Sequence, residues 1–137
     1  MGHTLPSPKV YPDDDPLWRM RAVQLARELA IDCWEDAEKL THNEITQKIA
    51  GQLYAAVSSI NANLGEGYSR SSGRERAKIF EYALGSTRES AMWYRSTTRI
   101  LGRELVDSRL AKLEEIRRLL LAIIPRERGR LIRPKKN

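Results

Sequence analysis

Six basic residues between positions 74 and 103 have the type and spacing needed to hold a polyanion. On a helix that turns about 100° per residue, their side chains fall within about 100° of arc. Cations arranged in this way contact phosphates and displace counterions, which positions a nucleic acid without reading its sequence. The alternatives are a solvated helix surface and a surface that pairs with the acidic first helix of a neighbouring subunit. The six residues are Arg74, Lys78, Arg88, Arg95, Arg99 and Arg103.

A second group of bases lies in the C-terminal segment 126–137, which holds six bases against the single acid Glu127. Because the net charge of the whole chain is +6, residues 1–125 are close to neutral. Such a segment is either a solubilising end or an arm that binds nucleic acid. Its six candidate contacts are Arg126, Arg128, Arg130, Arg133, Lys135 and Lys136. Trp34 and Tyr68 are candidates to stack on bases, with packing as the alternative role.

Acidic residues are concentrated in segment 13–38, which holds eight acids against three bases. Segment 70–103 has the reverse balance, with eight bases against three acids. Opposite charges favour contact between these two segments, either within one chain or between copies.

Patterns for catalysis and metal binding are missing from the sequence. No base and nucleophile accompany the carboxylates, and no glycine-rich phosphate loop is present. Di-metal sites in helical bundles need Glu-x-x-His pairs, and neither His3 nor His42 follows a glutamate at that spacing. Cys33 has no neighbouring ligands and is expected to be a small buried hydrophobic residue. We therefore predict a protein that is not an enzyme and that has no metal and no cofactor.

Polar residues interrupt the apolar faces of two predicted helices. One strip flanks the second helix, at Gln52, Ser59, Asn63 and Glu66. A second set lies on the inward face of the third helix, at Ser86, Ser90 and Thr97. We interpret both as hydrogen-bonded seams where small residues let helices approach closely. A buried Glu66 or Glu89 would need an arginine partner, and Arg70 is the first candidate.

Capping and stop signals divide the chain into four helices. The first starts at Asp15-Pro16, the second at a capping box over Thr41–Glu44, the third at a capping box over Ser72–Glu75, and the last at Asp107. Gly65-Glu66-Gly67, Leu101-Gly102 and Pro125 are read as stop signals. Ile45, Tyr82 and Ile100 are placed on inward faces by their helical spacing. Strand alternation and solenoid repeats are absent. The pattern predicts an all-α, up-down-up-down antiparallel four-helix bundle.

The chain of 137 residues is long enough for one domain with a real core. We divide it into an N-terminal extension at 1–14, a bundle at 15–125 and a basic tail at 126–137. A single cysteine favours a reducing, cytoplasmic compartment. The sequence shows no signal peptide and no apolar run long enough to span a membrane, so a membrane partner is not expected.

Three parts of the sequence carry a family resemblance. Trp18 marks the first helix, and a second pattern runs through Phe80, Ala83-Leu84-Gly85-Ser86 and Glu89. The third pattern comprises Gln52, Ser59-Ile60, Asn63, Glu66-Gly67-Tyr68 and Arg70. Together they resemble the small four-helix-bundle proteins encoded in 23S ribosomal RNA intervening sequences, over residues 17–124. One departure is Tyr54-Ala55, where the family usually has basic residues. A phosphate contact made there by relatives is either lost in this chain or moved to the third helix and the tail.

The resemblance implies further properties that the composition and residue spacing of this sequence do not predict. The family's bundles assemble into rings, typically homopentamers. The broader group also resembles the accessory variability determinant of diversity-generating retroelements, a basic bundle that binds nucleic acid and a reverse transcriptase. We therefore expect a non-enzymatic, oligomeric accessory protein that binds RNA or another nucleic acid, with a reverse transcriptase as a further partner. The alternative is a scaffold for protein–protein interaction that does not bind nucleic acid.

Overall fold

The computed structural model describes residues 14–130 of the chain. Over that range the protein is all-helical and contains no strand. Four helices are long and one, α4, has a single turn. Their bounds are α1 (Arg21–Thr41), α2 (Gln47–Tyr68), α3 (Gly73–Ser96), α4 (Thr98–Leu101) and α5 (Arg103–Arg128). Arg133, Lys135, Lys136 and the extension at 1–13 lie outside the described residues.

The four long helices pack around one apolar core. Each packs against the next along the chain, and α5 packs back against α1, so that the core is enclosed. The largest buried side chains come from all four helices, which agrees with the expected helical bundle. They include Leu29 of α1, Leu53 of α2, Phe80 of α3 and Ile116 of α5. None of the helices between residues 14 and 130 is long and apolar enough to cross a membrane.

The first predicted helix begins later than Asp15. The Asp15 carboxylate accepts a hydrogen bond from the Leu17 amide at 3.0 Å, but it caps only a 3-10 turn over Pro16–Arg19. Met20 is then extended (φ −69°, ψ 124°), which ends the turn before α1 starts. The turn lets Leu17 and Trp18 pack against the core from outside the helix.

The predicted capping box at Thr41–Glu44 is wrong. Thr41 is the last residue of α1, and its hydroxyl donates to the Glu38 carbonyl at 2.6 Å. Buried Thr46 precedes α2, and its hydroxyl donates to the Leu40 carbonyl at 2.7 Å, so the loop is tied to the preceding helix. Ile45 therefore lies in a loop and is 85% exposed, not on an inward face.

The glycines predicted to stop the second helix lie inside it. α2 continues to Tyr68, and a Cβ on Gly67 would lie 2.7 Å from Cε1 of Phe80. Gly67 thus serves the close approach of α2 and α3 and does not end the helix. The next start signal is confirmed, because the Ser72 hydroxyl accepts from the Glu75 amide at 3.1 Å.

The last two predicted helices have different ends from those expected. α3 ends at Ser96, and α4 follows it up to Gly102, whose φ of 90° turns the chain into α5. α5 therefore starts at Arg103, four residues before Asp107. Pro125 lies within α5, which continues to Arg128 because Glu127 is buried against the start of α3.

The buried face of α3 is rotated from the predicted one. Ala77, Phe80, Ala83, Thr87 and Tyr94 face the core. Tyr82 and Ile100, which the spacing placed inward, are 55% and 37% exposed. The spacing predicts one continuous face of the third helix through Thr97. The helix breaks there, so Ile100 does not continue the buried face of α3.

Candidate functional site

Six cations of segment 74–103 are exposed and are called here the basic row: Arg74, Lys78, Arg88, Arg95, Arg99 and Arg103. Their side chains form no ion pair with any carboxylate of residues 14–130. Four belong to α3, Arg99 belongs to α4 and Arg103 begins α5. The structure thus exposes all six predicted site residues, and the row is interrupted by the helix break at Thr97 and the turn at Gly102.

Arg88 and Arg95 also border a groove between α3 and α5. The groove has a volume of about 330 Å³. Arg117 lies on the α5 side, where its Nε and Nη2 donate to Glu114 at 2.9 and 2.5 Å. Arg118 donates to the same carboxylate at 3.2 Å. These arginines lower the pKa of Glu114 to about 2, so it stays ionised and their charges outweigh its own.

Three of the five acids of α1, namely Glu28, Asp32 and Asp36, pair with α5 and not with the basic row. Arg109 contacts Asp32 at 3.5 Å and Asp36 at 2.8 Å. Lys112 contacts Asp32 at 3.2 Å and Glu28 at 3.8 Å. Segments 13–38 and 70–103 therefore touch within one chain, through the Tyr94 hydroxyl and Asp36, but no ion pair joins them in the described residues.

Asp36 is the buried centre of a polar network that the sequence did not reveal. It accepts from the Tyr94 hydroxyl at 2.7 Å and from Arg109 Nε at 2.8 Å, which links α1, α3 and α5. Burial raises the pKa of Tyr94 and that of the neighbouring Cys33 thiol, the latter to about 11. Cys33 is thus buried as expected and stays protonated. A signal was available, since Asp36 follows Leu29 and Cys33 at helical spacing on an apolar face.

The C-terminal candidates fall into different environments. Arg126 is exposed and has no ion-pair partner among residues 14–130. Arg128 pairs with Glu81 at 2.7 Å, and Arg130 pairs with Glu127 at 3.3 Å. The first part of the predicted tail is therefore helical and packed, and only Arg126 among its described bases is available to a ligand.

The carboxylates of the predicted polar strips are paired but not buried. Glu66 and Arg70 form the expected ion pair at 2.6 Å, with both side chains about half exposed. Glu89 is exposed and accepts from Trp93 Nε1 at 3.0 Å. The predicted arginine partner is therefore present for Glu66, and neither carboxylate is a buried charge.

The uncharged members of the strips only partly form a seam. Gln52 and Gly85 are exposed, and Ser59, Asn63 and Ser86 are half-buried. The Ser90 hydroxyl donates within its own helix, to the Ser86 carbonyl at 2.8 Å. The hydrogen bond that does join two helices comes from Asn61 Nδ2 to the Ala26 carbonyl at 2.9 Å.

The two aromatic candidates for base stacking differ in accessibility. Trp34 is 57% exposed and packs edge-on against Tyr54, with ring centroids 5.4 Å apart. Tyr68 is half-buried, and the guanidinium of Arg76 lies 4.9 Å from its ring centroid. Of the two, only Trp34 presents a large aromatic surface, and it belongs to α1, which carries no residue of the basic row.

Nothing in the described part of the chain resembles a metal centre. No group of three or more histidine, cysteine, aspartate or glutamate side chains between residues 14 and 130 is placed to hold an ion. The chemistry that the geometry does offer is a row of exposed guanidinium and ammonium groups.

Comparison with known proteins agrees with the fold. The sequence profile described as "23S rRNA-intervening sequence protein" matches residues 19–122. Among solved structures, the chain is similar to a protein of unknown function from the S23 ribosomal protein family of Bacteroides thetaiotaomicron. That similarity has a TM-score of 0.70 at 23% identity and covers 75% of this chain and 97% of the other. No curated protein matches the sequence.

Proposed function

The chain belongs to the 23S rRNA-intervening sequence protein family, and from that premise we propose that it is a non-enzymatic accessory protein that binds RNA. The proposed binding surface is the basic row, with Arg126 as a second contact. Binding is electrostatic, so phosphates are held and the base sequence is not read.

The proposal rests on one observation: cations of α5 that face α1 are paired with carboxylates, whereas the cations of the basic row are not. Most cations of α5 that face α1 have carboxylate partners, as Arg109 and Lys112 show. The six cations of the basic row have none within residues 14–130. Like charges held together without counter-charges are stabilised by a polyanion, which gives the row a ligand to bind.

The proposal includes an assembly. We propose that the bundle is up-down-up-down and antiparallel, which is supported by the short loops and by the packing of each long helix on its chain neighbour. We also propose a homo-oligomer, a pentamer by family resemblance, because copies of the row in a closed ring multiply weak contacts into useful avidity. We further propose a cytoplasmic location and a reverse transcriptase as a protein partner.

Replacement of arginines of the basic row by glutamates tests the proposed RNA binding. We expect the triple variant Arg88→Glu/Arg95→Glu/Arg99→Glu to bind RNA more weakly than the wild type. Losing three phosphate contacts should reduce the slope of log K against log salt by about 2 for a single strand. The measurement is fluorescence anisotropy with labelled RNA over a salt series.

A matched control separates this effect from net charge. Arg19, Lys39 and Lys48 are exposed, lie on other elements and form no ion pair within residues 14–130. Their triple reversal changes the net charge equally but should leave the salt slope close to that of the wild type. If both triple variants lose the same affinity, the basic row is not the binding surface.

A second candidate function is a scaffold for protein–protein interaction. It is favoured by exposed apolar side chains on opposite sides of the bundle, with Ile31 and Trp34 on α1 and Tyr82 and Met92 on α3. In this case the same triple reversal should dissociate the oligomer and leave RNA retention unchanged. Size exclusion with light scattering, with and without RNA at low and high salt, measures both quantities.

A further inference from the structure

The groove between α3 and α5 combines cationic edges with an apolar floor. Arg88 and Arg95 border it on α3, about 10.5 Å apart along the axis at 1.5 Å per residue, and Arg117 borders it on α5. Its floor is formed by Thr87, Ala91, Leu110, Ala111 and Leu113. The two alanines are short, so space is left between the helices where longer side chains would fill it.

The floor presents no unsatisfied polar group to a ligand. The only polar side chain in it belongs to Thr87, which is buried and whose hydroxyl donates to the Ala83 carbonyl at 2.7 Å. Glu114 also lines the groove, but its oxygens are held by Arg117 and Arg118. A ligand that fits must therefore carry negative charge at its edges and an apolar surface in between.

We propose that this groove is a site for single-stranded RNA, in which one nucleotide lays its base or ribose on the apolar floor while neighbouring phosphates contact Arg88 and Arg95. This inference rests on the proposed RNA-binding function and adds a preference for single strands. The volume of about 330 Å³ lies at the lower end of the range of small-ligand sites, which suits one such group.

Charge and shape favour this occupant over others. A duplex keeps its bases stacked inside and offers mainly phosphates and sugars, so it reaches only the cationic edges. An acidic peptide carries its charges on short side chains and has no large apolar group next to each charge. A single strand alternates phosphates with unstacked bases, which matches the alternation of edge and floor.

Filling the floor tests the proposal. Ala111 is exposed on α5 and leucine has nearly the same helix propensity, so Ala111→Leu should fold normally. Wild type should bind a short uridine oligonucleotide about five-fold more tightly than an RNA duplex of equal length. This factor corresponds to burial of about 40 Å² of apolar surface at about 25 cal/mol per Å². Ala111→Leu should abolish this preference and keep duplex affinity, while the matched control Ala62→Leu, exposed on α2, should keep the preference. The measurements are anisotropy titrations, with the melting midpoint of each variant recorded.

Each other outcome has a definite meaning. Equal affinity of the wild type for single strand and duplex, with both weakened by reversal of the basic row, would overturn the groove proposal and leave the proposed function standing. No binding of either RNA would overturn both. A preference that survives Ala111→Leu would place the single-strand contact elsewhere. Displacement of the oligonucleotide by polyglutamate of equal charge at equal concentration would assign the groove to an acidic protein segment.

Discussion

Asp36 is a carboxylate that folding brings into the core, with a side chain only 1% exposed. Removing such a group from water is costly unless several donors replace the lost solvent. Here Arg109 supplies two donors and Tyr94 a third, so the charge is balanced and its lone pairs are used. Because these partners come from two other helices, the network also fixes how α1, α3 and α5 meet.

Removal of the Asp36 carboxylate should therefore destabilise the protein strongly. Asp36→Ala leaves the Arg109 guanidinium and the Tyr94 hydroxyl without their acceptor, and we expect a loss of about 3–5 kcal/mol. Glu35→Ala is the matched control, because Glu35 is an exposed neighbour on α1 without an ion pair in residues 14–130. Its effect should stay within about 0.5 kcal/mol. Urea unfolding followed by circular dichroism measures both, and equal losses would contradict this role of Asp36.

The crossing of α2 and α3 depends on one glycine, whereas another glycine of α3 is not required. A Cβ on Gly67 would lie 2.7 Å from Phe80, a side chain that is fully buried and has no room to retreat. A Cβ on Gly85 would meet nothing within 4 Å. The two glycines are both helical, so they differ only in what faces them.

Alanine at these two positions should have opposite effects. Gly67→Ala forces Phe80 to move, and we expect a destabilisation of about 1–3 kcal/mol. Gly85→Ala removes conformational freedom from the unfolded chain at no steric cost, so it should stabilise the protein by about 0.5–1 kcal/mol. Thermal unfolding of both variants measures the difference. A stabilising Gly67→Ala would show that the two helices can separate at this point.

Helix number and helical class were predictable because apolar residues repeat at 3.6-residue spacing through all four long helices. The helix ends were not predictable. Local capping and stop signals compete with tertiary contacts, and those contacts cannot be read from the sequence. Pro125 is a stop signal by itself, yet α5 passes through it because Glu127 is held by Arg76 and Arg130. The exposure of the basic row was predictable from charge alone, whereas the partner of each α1 acid depended on which helices become neighbours.

At the scale of the whole molecule, the start of α3 packs against the last turn of α5. A Cβ on Gly73 would lie 2.1 Å from the Glu127 carbonyl oxygen, so the two helices touch backbone to backbone. The Arg76 guanidinium lies between the Tyr68 ring at 4.9 Å and the Glu127 carboxylate at 3.4 Å. Residues 126–130 therefore belong to the folded unit.

Truncation tests where that unit ends. A chain ending after Pro125 loses Glu127 and leaves Arg76 half-enclosed without its counter-charge, and we expect a loss of roughly 2–3 kcal/mol. A chain ending after Arg130 keeps these contacts and should unfold at the same urea concentration as the full chain. Equal stability of the two truncated chains would show that the last turn of α5 contributes nothing to the fold.

Gly102 has the one positive φ among residues 14–130, and it stands between Arg99 and Arg103. Its backbone angles (φ 90°, ψ 146°) belong to a region that is essentially restricted to glycine and costs other residues about 1–3 kcal/mol. The turn into the last helix therefore depends on a main-chain conformation that residues other than glycine adopt only at this cost. Substitutions of surface residues can therefore change the charge of the basic row without removing the turn at Gly102.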